Sequence, residues 1–495
     1  MFGLDRSQQD AVGLGFVLER LVPDSPYGIE KKRLIEPFGP GREAELERCL
    51  HNVAGAVRVI TEDGDLYGEF RRAMMSLKNV RGIVVKCRES YLHEVDLFEV
   101  KRFLILLEKL LPVFASMNDK AGFVGISLIA MTDALDILDP DRTRLAPFMV
   151  DERRSATLAA IRTEKRDLEL RLRELDPEAD GPERTAVNDR RSLLVQEEEA
   201  EETAVMKMLS GELRMHAAAF FHNMDNIGEL DLVMAKAALA IRFGAVRPTV
   251  NSGGCVDLRE MSNPFVAEAL GRRGKAFTKI SLRMRPGVTL ITGANMGGKS
   301  VAMKTAMLNI ALCGLGFFVF AAGADLPLFD GLRLISGDLQ ETAHGLSSFA
   351  GEMLAFKHVI RDIRREFLFV VLDEFAKGTN PEEGTRIVGA VASYLSGSSA
   401  VCMLSTHYDH DGIAGLPHYR VAGLTETAYA LLLERIADTG NGENEARRIE
   451  LLGEYMDYTL IETDRTEPAR DALKICRLIG LDREVLELIG SSSCG

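Results

Sequence analysis

The segment GANMGGKS, residues 293 to 300, constrains this chain more than any other feature. It matches the pattern G-x-x-x-x-G-K-S, whose glycines let backbone N–H groups close around a phosphate. The preceding VTLITG is typical of a buried strand, and a helical pattern follows, so a chance match is disfavoured. In such a loop Lys299 neutralises the β and γ phosphates of a nucleotide, and Ser300 ligates Mg²⁺. The predicted nucleotide-binding residues of the loop are Gly293, Asn295, Met296, Gly297, Gly298, Lys299 and Ser300.

Adjacent acids end a second apolar run, FLFVVLDEF, which spans residues 367 to 375. Carboxylates at the carboxyl end of a buried strand are costly unless they have a function. We predict that Asp373 holds the magnesium shell, and that Glu374 is the general base that orients and deprotonates the attacking water. Helix capping by both acids is the alternative, which the following GTNPEEG disfavours because it supplies its own turn residues.

A third apolar run, AVCMLSTHY, brings His407 to the same sheet edge. A histidine there can sense or polarise the γ-phosphate, so we assign His407 a catalytic role beside Glu374. A lone histidine is more often a hydrogen-bonded core residue, but three strands that end in polar groups favour a shared site. The sequence thus predicts an ATP and Mg²⁺ site at the carboxyl edge of a sheet.

Composition and charge limit the classes of protein and the cellular compartments that fit this sequence. The 495 residues carry a formal net charge of −14, which argues against a protein that coats nucleic acid through bulk charge. Seven scattered cysteines without C-x-x-C spacing indicate neither disulfides nor a zinc site, and the start lacks a signal-peptide pattern, so we expect a cytoplasmic protein. The apolar stretch 305–324 has the length of a membrane span, but it follows the phosphate loop directly; we interpret it as a buried helix and strand, with no membrane segment.

The amino-terminal half has helical periodicity, and its composition becomes strongly charged between residues 151 and 214. Apolar residues at heptad spacing precede a helix-breaking DPEADGP, and a second charged arm follows. This pattern favours an antiparallel helical hairpin with arms of roughly 40 Å, and a solvated linker is the alternative. After Pro248, short apolar runs alternate with helical stretches, as in an α/β sheet.

Several segments resemble the MutS family of ABC-type dimeric ATPases. TGANMGGKS is similar to the family's TGPNMGGKS, HGLSSFAGEM to its G-R-S-T-F-x-x-E-M segment, DEFAKGT to DEIGRGT, and STHY to A/S-T-H-Y. Ala294 stands where the family has proline. Leu346 and Lys377 stand where it usually has arginine, and both differences bear on contacts between subunits.

The resemblance implies a fold for nearly the whole chain. We expect an α/β ABC-type P-loop ATPase domain over 246–495 with a C-terminal helical dimerisation element, preceded by an all-α core and lever domain over 1–245 with the short antiparallel hairpin at 151–214. The segments beginning at Ser25 and Asn226 resemble the two ends of that helical core. No mismatch-reading or connector domain fits before Ser25 and no Phe-x-Glu motif is present, so we expect a short MutS-like protein that lacks the mismatch-recognition and connector domains. We also expect no appended nuclease module.

The resemblance also assigns two further residues. Phe265 in NPFVAEAL matches the aromatic residue that stacks on adenine, although a core phenylalanine is the alternative. Ser347 matches the serine that completes the partner's ATP site. The resemblance therefore implies a homodimer, or a heterodimer with a related subunit.

Two functions remain open at this point. The first is a dimeric ATPase that clamps double-stranded DNA in repair or recombination without reading mismatches. The second is ATP-driven remodelling of a protein client with no DNA role, as in MutS-like reactivating factors for cobalamin-dependent amino-acid mutases. Segment 151–214 carries 17 acidic and 12 basic residues, a net charge of −5 that favours the second function, whereas the breadth of the family favours the first.

Overall fold

The computed structural model describes residues 2–174, 181–293, 298–336, 348–406, 408, 415–439, 451–452, 454–463, 471–479, 481–482 and 484–485. The chain forms two compact units. The first, which we call the sheet unit, comprises Met1–Leu21, Ile35–Val57 and Lys236–Gly495. The second, the helical unit, comprises Val22–Leu34 and Arg58–Ala235. In the described ranges, no helix has the length and apolarity needed to cross a membrane.

In the residues that the structure describes, helices form most of the first half of the chain, and strands alternate with helices after residue 248. The helices are α1 (Arg6–Val12), α2 (Leu14–Arg20), α3 (Pro26–Arg33), α4 (Glu43–Glu62), α5 (Gly64–Ser76), α6 (Arg81–Glu89), α7 (Glu94–Ala121), α8 (Thr132–Leu138), α9 (Ala156–Glu174), α10 (Pro182–Arg214), α11 (Ala217–Phe243), α12 (Pro264–Gly271), α13 (Lys299–Gly314), α14 (Ser348–Ile363), α15 (Pro381–Ser396), α16 (Glu426–Thr439) and α17 (Asp471–Ile479). The strands are β1 (Thr249–Val250), β2 (Val256–Met261), β3 (Ile280–Met284), β4 (Gly287–Thr292), β5 (Gly323–Leu326), β6 (Gly331–Ser336), β7 (Leu368–Asp373), β8 (Val401–Ser405), β9 (His418–Gly423) and β10 (Asp457–Glu462).

A buried ion pair fixes the segment after α8 against α7 in the helical unit. Lys101 and Asp139 lie 3.3 Å apart, and their side chains are only 6% and 3% exposed. Asp139 also accepts hydrogen bonds from the Arg144 N–H at 2.8 Å and from the Thr143 hydroxyl at 2.9 Å. Lys101 donates to the carbonyl of Pro147 at 3.1 Å. A buried charge pair is tolerated when its remaining polar atoms are bonded in this way, so the cluster anchors this segment.

Helices α9 and α10 pack against each other in opposite directions. Ile161, Leu168 and Leu194 form a small apolar cluster between them. Salt bridges flank this cluster along the two helices: Arg162–Glu198, Arg162–Glu202, Lys165–Glu198, Arg190–Glu164 and Arg191–Glu169. Arg162, early in α9, pairs with Glu202, late in α10, whereas Glu169, late in α9, pairs with Arg191, nearer the start of α10, so the two helices are antiparallel.

The sheet unit contains the α/β fold expected from the sequence. Its larger sheet has the order β10-β9-β4-β8-β7-β6, and its strands are parallel except β10. The three central strands are buried at every residue, as expected for parallel strands covered by helices on both faces. A smaller sheet has the order β1-β5-β2-β3. The carboxyl ends of β4, β7 and β8 therefore meet at one edge of the larger sheet.

The first residues of the chain pack onto this sheet. The Leu332 N–H in edge strand β6 donates to the Phe2 carbonyl at 2.9 Å, and the Gln8 side chain donates to the Leu334 carbonyl at 2.9 Å. An uncovered edge strand exposes unpaired backbone groups, so this contact partly covers that edge.

Candidate nucleotide site

The predicted phosphate loop joins a buried strand to a helix, because β4 ends at Thr292 and α13 begins at Lys299. Its two described glycines have positive φ angles, 138° at Gly293 and 88° at Gly298. A Cβ on Gly293 would lie 2.9 Å from the Val421 Cβ, and one on Gly298 would lie 3.0 Å from the Tyr458 ring. Both positions thus require glycine, and the first N–H groups of α13 can bind an anion beside them.

Lys299 is buried at the start of α13, with 4% of its surface exposed. Its Nζ donates a hydrogen bond to the Gly293 carbonyl at 2.8 Å, which spans the loop. Burial lowers the pKa of this lysine, while the nearby charges of Glu374 and Asp373 act in the opposite direction. Those charges belong to the acids that end β7, so the loop and the acid pair share one electrostatic environment.

Ser405 holds the two acids in place. Its hydroxyl donates to Asp373 Oδ1 at 2.9 Å and accepts from the Glu374 N–H at 2.8 Å. Ser405 ends β8 and is fully buried, so it connects the carboxyl ends of two neighbouring strands. The Glu374 side chain is 27% exposed and accepts a hydrogen bond from Lys377 Nζ at 2.7 Å. Asp373 is buried, whereas Glu374 reaches partly into solvent.

A second buried hydrogen bond supports the strand that leads into the loop. Thr292 Oγ1, at the end of β4, and His418 Nε2, at the start of β9, lie 2.6 Å apart. Both residues are buried. This pair fixes β4 against β9 one residue before Gly293.

A cavity of about 590 Å³ opens beside the first turn of α13. Gly298 and Val301 line one side, Tyr458 and Met456 another, and Val266 from α12 also contributes. The neighbouring Phe265 is 42% exposed, and its ring lies edge-on against Phe16 with centroids 5.7 Å apart. The cavity is large enough for part of a nucleotide.

The predicted site residues differ in how far the structure describes them. Lys299, Asp373 and Glu374 lie near one another, as given above, and Ser300 is the second residue of α13. The predicted positions Asn295, Met296, Gly297, Ser347 and His407 lie outside the described residues.

Sequence reasoning did not single out Ser405, Glu352 or the Thr292–His418 pair. Ser405 opens the STHY segment and Glu352 belongs to HGLSSFAGEM, so the resemblance of these two segments was the available signal. The pair Thr292–His418 gave no signal, because 126 positions separate its members.

Known proteins are similar to this chain in the region that contains the candidate site. The family model of MutS domain V matches residues 289–418. The chain is 30% identical to Endonuclease MutS2 from a Geobacillus species over 217 residues, which are 43% of this chain and 26% of that protein. It is 24% identical to Endonuclease MutS2 from Caldanaerobacter subterraneus over 445 residues, 78% of this chain and 54% of that protein. DNA mismatch repair protein MutS from Thermus aquaticus is 35% identical over 194 residues, 39% of this chain and 23% of that protein.

The sheet unit is thus an α/β domain whose parallel strands end in polar residues at one edge, the usual location of a ligand in such folds. Residues 289–418 of this domain match the model of MutS domain V, and the chain is similar to MutS2 and MutS proteins. The matches cover between 23% and 54% of the lengths of these three curated relatives.

Proposed function

We propose that this protein binds ATP with Mg²⁺ at the carboxyl edge of the larger sheet and hydrolyses it. The observation that carries the proposal is the environment of Lys299, a buried ammonium at the start of α13 on which Asp373 and Glu374 both act electrostatically. A buried cation between a glycine loop and two acids suits a triphosphate and its metal ion. The MutS domain V match over residues 289–418 supports the same assignment.

Each residue has a distinct role in this proposal. Lys299 exchanges its hydrogen bond with the Gly293 carbonyl for the β and γ phosphate oxygens. Glu374, which is partly exposed, orients a water molecule and accepts its proton. His407 assists at the γ-phosphate, as expected from its position after β8. The loop residues Asn295, Met296 and Gly297 complete the phosphate cradle.

The residues present fit a magnesium ion. Ser300 and Asp373 would hold it through a hydroxyl and a carboxylate oxygen, the hard ligands that Mg²⁺ prefers. When bound, the ion neutralises charge on the β and γ phosphates. Within the described part of the chain, no group of three His, Cys, Asp or Glu side chains could hold a metal by itself. The phosphates would therefore supply the remaining ligands.

The nucleotide base is proposed to enter the cavity beside Gly298 and Val301. Phe265 directly precedes Val266, which lines this cavity, and 42% of the Phe265 surface is exposed. This exposure favours stacking on adenine over a role in the core. Ser347 is proposed to complete the site of a second subunit. The protein would then act as a homodimer, or as a heterodimer with a related chain.

We further propose that the ATPase cycle drives a clamp on double-stranded DNA. The names of the relatives, Endonuclease MutS2 and DNA mismatch repair protein MutS, support a role in DNA repair or recombination. Such a clamp would contact backbone phosphates and not bases, because no mismatch-reading motif was found in the sequence.

The variant Lys299→Ala tests nucleotide binding. It removes the cation opposite the phosphates, so we expect ATP affinity measured by calorimetry to fall at least about 100-fold, as for a lost charge-assisted contact. Lys279→Ala is the matched control, because the Lys279 side chain is 61% exposed and forms a surface ion pair with Glu260. Unchanged ATP affinity in folded Lys299→Ala protein would remove the proposed site.

Remodelling of a protein client is the second candidate, and the charges of the antiparallel pair α9 and α10 favour it. At least six of the twelve basic residues in segment 151–214 form salt bridges with carboxylates: Arg153, Arg162, Lys165, Arg166, Arg190 and Arg191. A cation that is already paired gains less from a DNA phosphate, since its partner must be displaced. A reactivating factor for a cobalamin-dependent amino-acid mutase is one example of this class.

A further inference from the structure

The backbone at the proposed general base and just after it adopts an unfavourable conformation. Glu374 and Ala376 have φ angles of 52° and 63°, in the left-handed region that side chains other than glycine rarely occupy. Such residues persist only where surrounding contacts hold them, and they are common at catalytic sites. The contacts that hold this segment should therefore affect the position of Glu374.

Every N–H from residue 374 to residue 376 has an acceptor. Ser405 accepts from Glu374 through its hydroxyl at 2.8 Å and from Phe375 through its carbonyl at 3.3 Å. The Ala376 N–H instead donates to Glu352 Oε2 at 3.0 Å. The segment is thus held by β8 on one side and by α14 on the other.

Glu352 is well placed to act on Ala376. It is a carboxylate with only 2% of its surface exposed, and burial raises its pKa. One turn further along α14, Phe356 packs against Phe375 with ring centroids 5.3 Å apart. The same face of α14 therefore contacts two successive residues that follow Glu374.

Tyr408 contacts the carbonyl group of Ala376, whereas Glu352 contacts its N–H. Its hydroxyl donates to the Ala376 carbonyl at 2.6 Å and lies 3.4 Å from the Thr379 carbonyl. The ring packs so closely on α15 that a Cβ on Gly384 would overlap it. Tyr408 also follows His407 directly in the sequence, so it connects that segment to the Glu374 segment.

We infer that Glu352 and Tyr408 are positioning residues that clamp the Ala376 peptide groups and thereby hold Glu374 in the orientation needed to activate water. This inference rests on the proposed ATPase function. Neither side chain is assigned contact with nucleotide; each acts through the backbone that carries Glu374. Loss of either contact should leave ATP binding intact and slow hydrolysis.

Two variants test the clamp. Tyr408→Phe removes one hydroxyl, and Glu352→Ala removes the acceptor of the Ala376 N–H. Because a small misplacement of a catalytic group can reduce turnover about 100-fold, we expect kcat to fall by roughly 10- to 100-fold. The calorimetric Kd and stoichiometry for ATP should stay within about twofold of wild type. Glu352→Gln should restore most of kcat, since its amide oxygen can still accept the N–H.

Two further measurements separate positioning from general destabilisation. Adding Glu352→Ala to Glu374→Gln should cause no further loss of kcat, because the residues act through one group. Hydrogen exchange of the peptide containing residues 374–378 should be faster in Glu352→Ala, with or without ATP. Tyr394→Phe on α15 is the control for the hydroxyl removal, since its side chain is 44% exposed.

The outcomes are distinguishable. Unchanged kcat in both variants, unchanged hydrogen exchange at 374–378, or a parallel loss of ATP stoichiometry would each overturn the clamp. Failure of the proposed function would look different, because the wild-type protein itself would then bind or hydrolyse no ATP. In that case the exchange measurement would still show whether Glu352 and Tyr408 hold the segment.

Discussion

At the scale of single residues, the chemistry of the site depends on groups that are costly to bury. Lys299 is an ammonium with 4% exposure, and burial lowers its pKa. Its Nζ donates to the Gly293 carbonyl, and the charges of Glu374 and Asp373 act on it. A bound triphosphate would place several negative oxygens beside the Lys299 ammonium, so Lys299 should contribute strongly to ATP affinity.

The change Glu374→Gln should separate binding from hydrolysis. Glutamine keeps the shape of the side chain but cannot accept the proton of the attacking water, so we expect hydrolysis to slow by about 100- to 10,000-fold. ATP affinity should change little, and an ATP-bound dimer should accumulate. Single-turnover hydrolysis and size-exclusion chromatography with ATP measure the two effects.

Glu382→Gln is the matched control for this change, because Glu382 lies on α15 with 79% side-chain exposure and a surface partner, Arg386. If Glu374→Gln hydrolyses ATP at the wild-type rate, another residue is the base, and His407 becomes the candidate.

The sequence identified the chemical groups of the site but not the residues that hold them. Lys299 was identified by the G-x-x-x-x-G-K-S pattern, and Asp373 and Glu374 were identified because buried strands rarely end in charge without a function. Glu352 was not singled out, because its segment HGLSSFAGEM indicates a family resemblance but not what this side chain contacts. Its importance arises only from the fold, which brings α14 to the Ala376 N–H.

At the scale of elements, strand prediction succeeded where burial is continuous. The apolar runs before Gly293 and before Glu374 correspond to β4 and β7, and AVCMLS corresponds to β8. Parallel strands covered on both faces have unbroken apolar sequences, which makes them easy to recognise. Edge strand β10 is harder, since its residues are half-buried or exposed and it pairs antiparallel with β9.

The buried acid beside α7 should make the helical unit sensitive to acid. Burial alone would raise the pKa of Asp139, but hydrogen bonds from Arg144 and Thr143 and the charge of Lys101 lower it to about 2. The folded-state pKa thus lies below the ordinary value of 3.8, so this stabilisation is complete above that value and is lost as pH falls towards 2. The low pKa of Asp139 contributes about 2 kcal/mol to the free energy of unfolding, and about half of this contribution is lost between pH 5 and pH 3.

The variant Asp139→Asn should lack this pH dependence. It should also be less stable at neutral pH by about 3 kcal/mol, because the Lys101 charge stays buried without its partner. Hydrogen exchange of α7 in increasing urea, at pH 5 and pH 3, measures both effects. Asp133→Asn, an exposed change in the first turn of α8, is the control. An equal pH dependence in Asp139→Asn and wild type would contradict the assignment.

At the scale of the whole molecule, the question is what the ATPase acts on. Much of the positive charge on α9 and α10 is already paired with carboxylates. Any duplex binding should therefore rest on a few phosphate contacts. We expect no mismatch readout, because the sequence contains no Phe-x-Glu motif.

We expect perfectly paired and mismatched duplexes to bind with affinities that agree within about threefold, and both to weaken steeply between roughly 50 and 200 mM salt. Fluorescence anisotropy on the two duplexes, with and without ATP, measures this. A strong mismatch preference would contradict the expectation that this protein does not read mismatches. No binding even at low salt would exclude the DNA clamp and favour a protein client.

The sheet unit is assembled from three separate stretches of the chain, and this affects how it can form during synthesis. Residues 1–21 and 35–57 leave the ribosome long before Lys236, the first residue of the remaining stretch. Ribosomes add about 5 to 20 residues per second, so the early segments wait roughly 10 to 35 s for their partners. The helical unit, whose main stretch Arg58–Ala235 is synthesised in between, can fold within that interval. Early apolar residues such as Phe2 and Val12, which are buried in the finished protein, stay without their final packing partners until then.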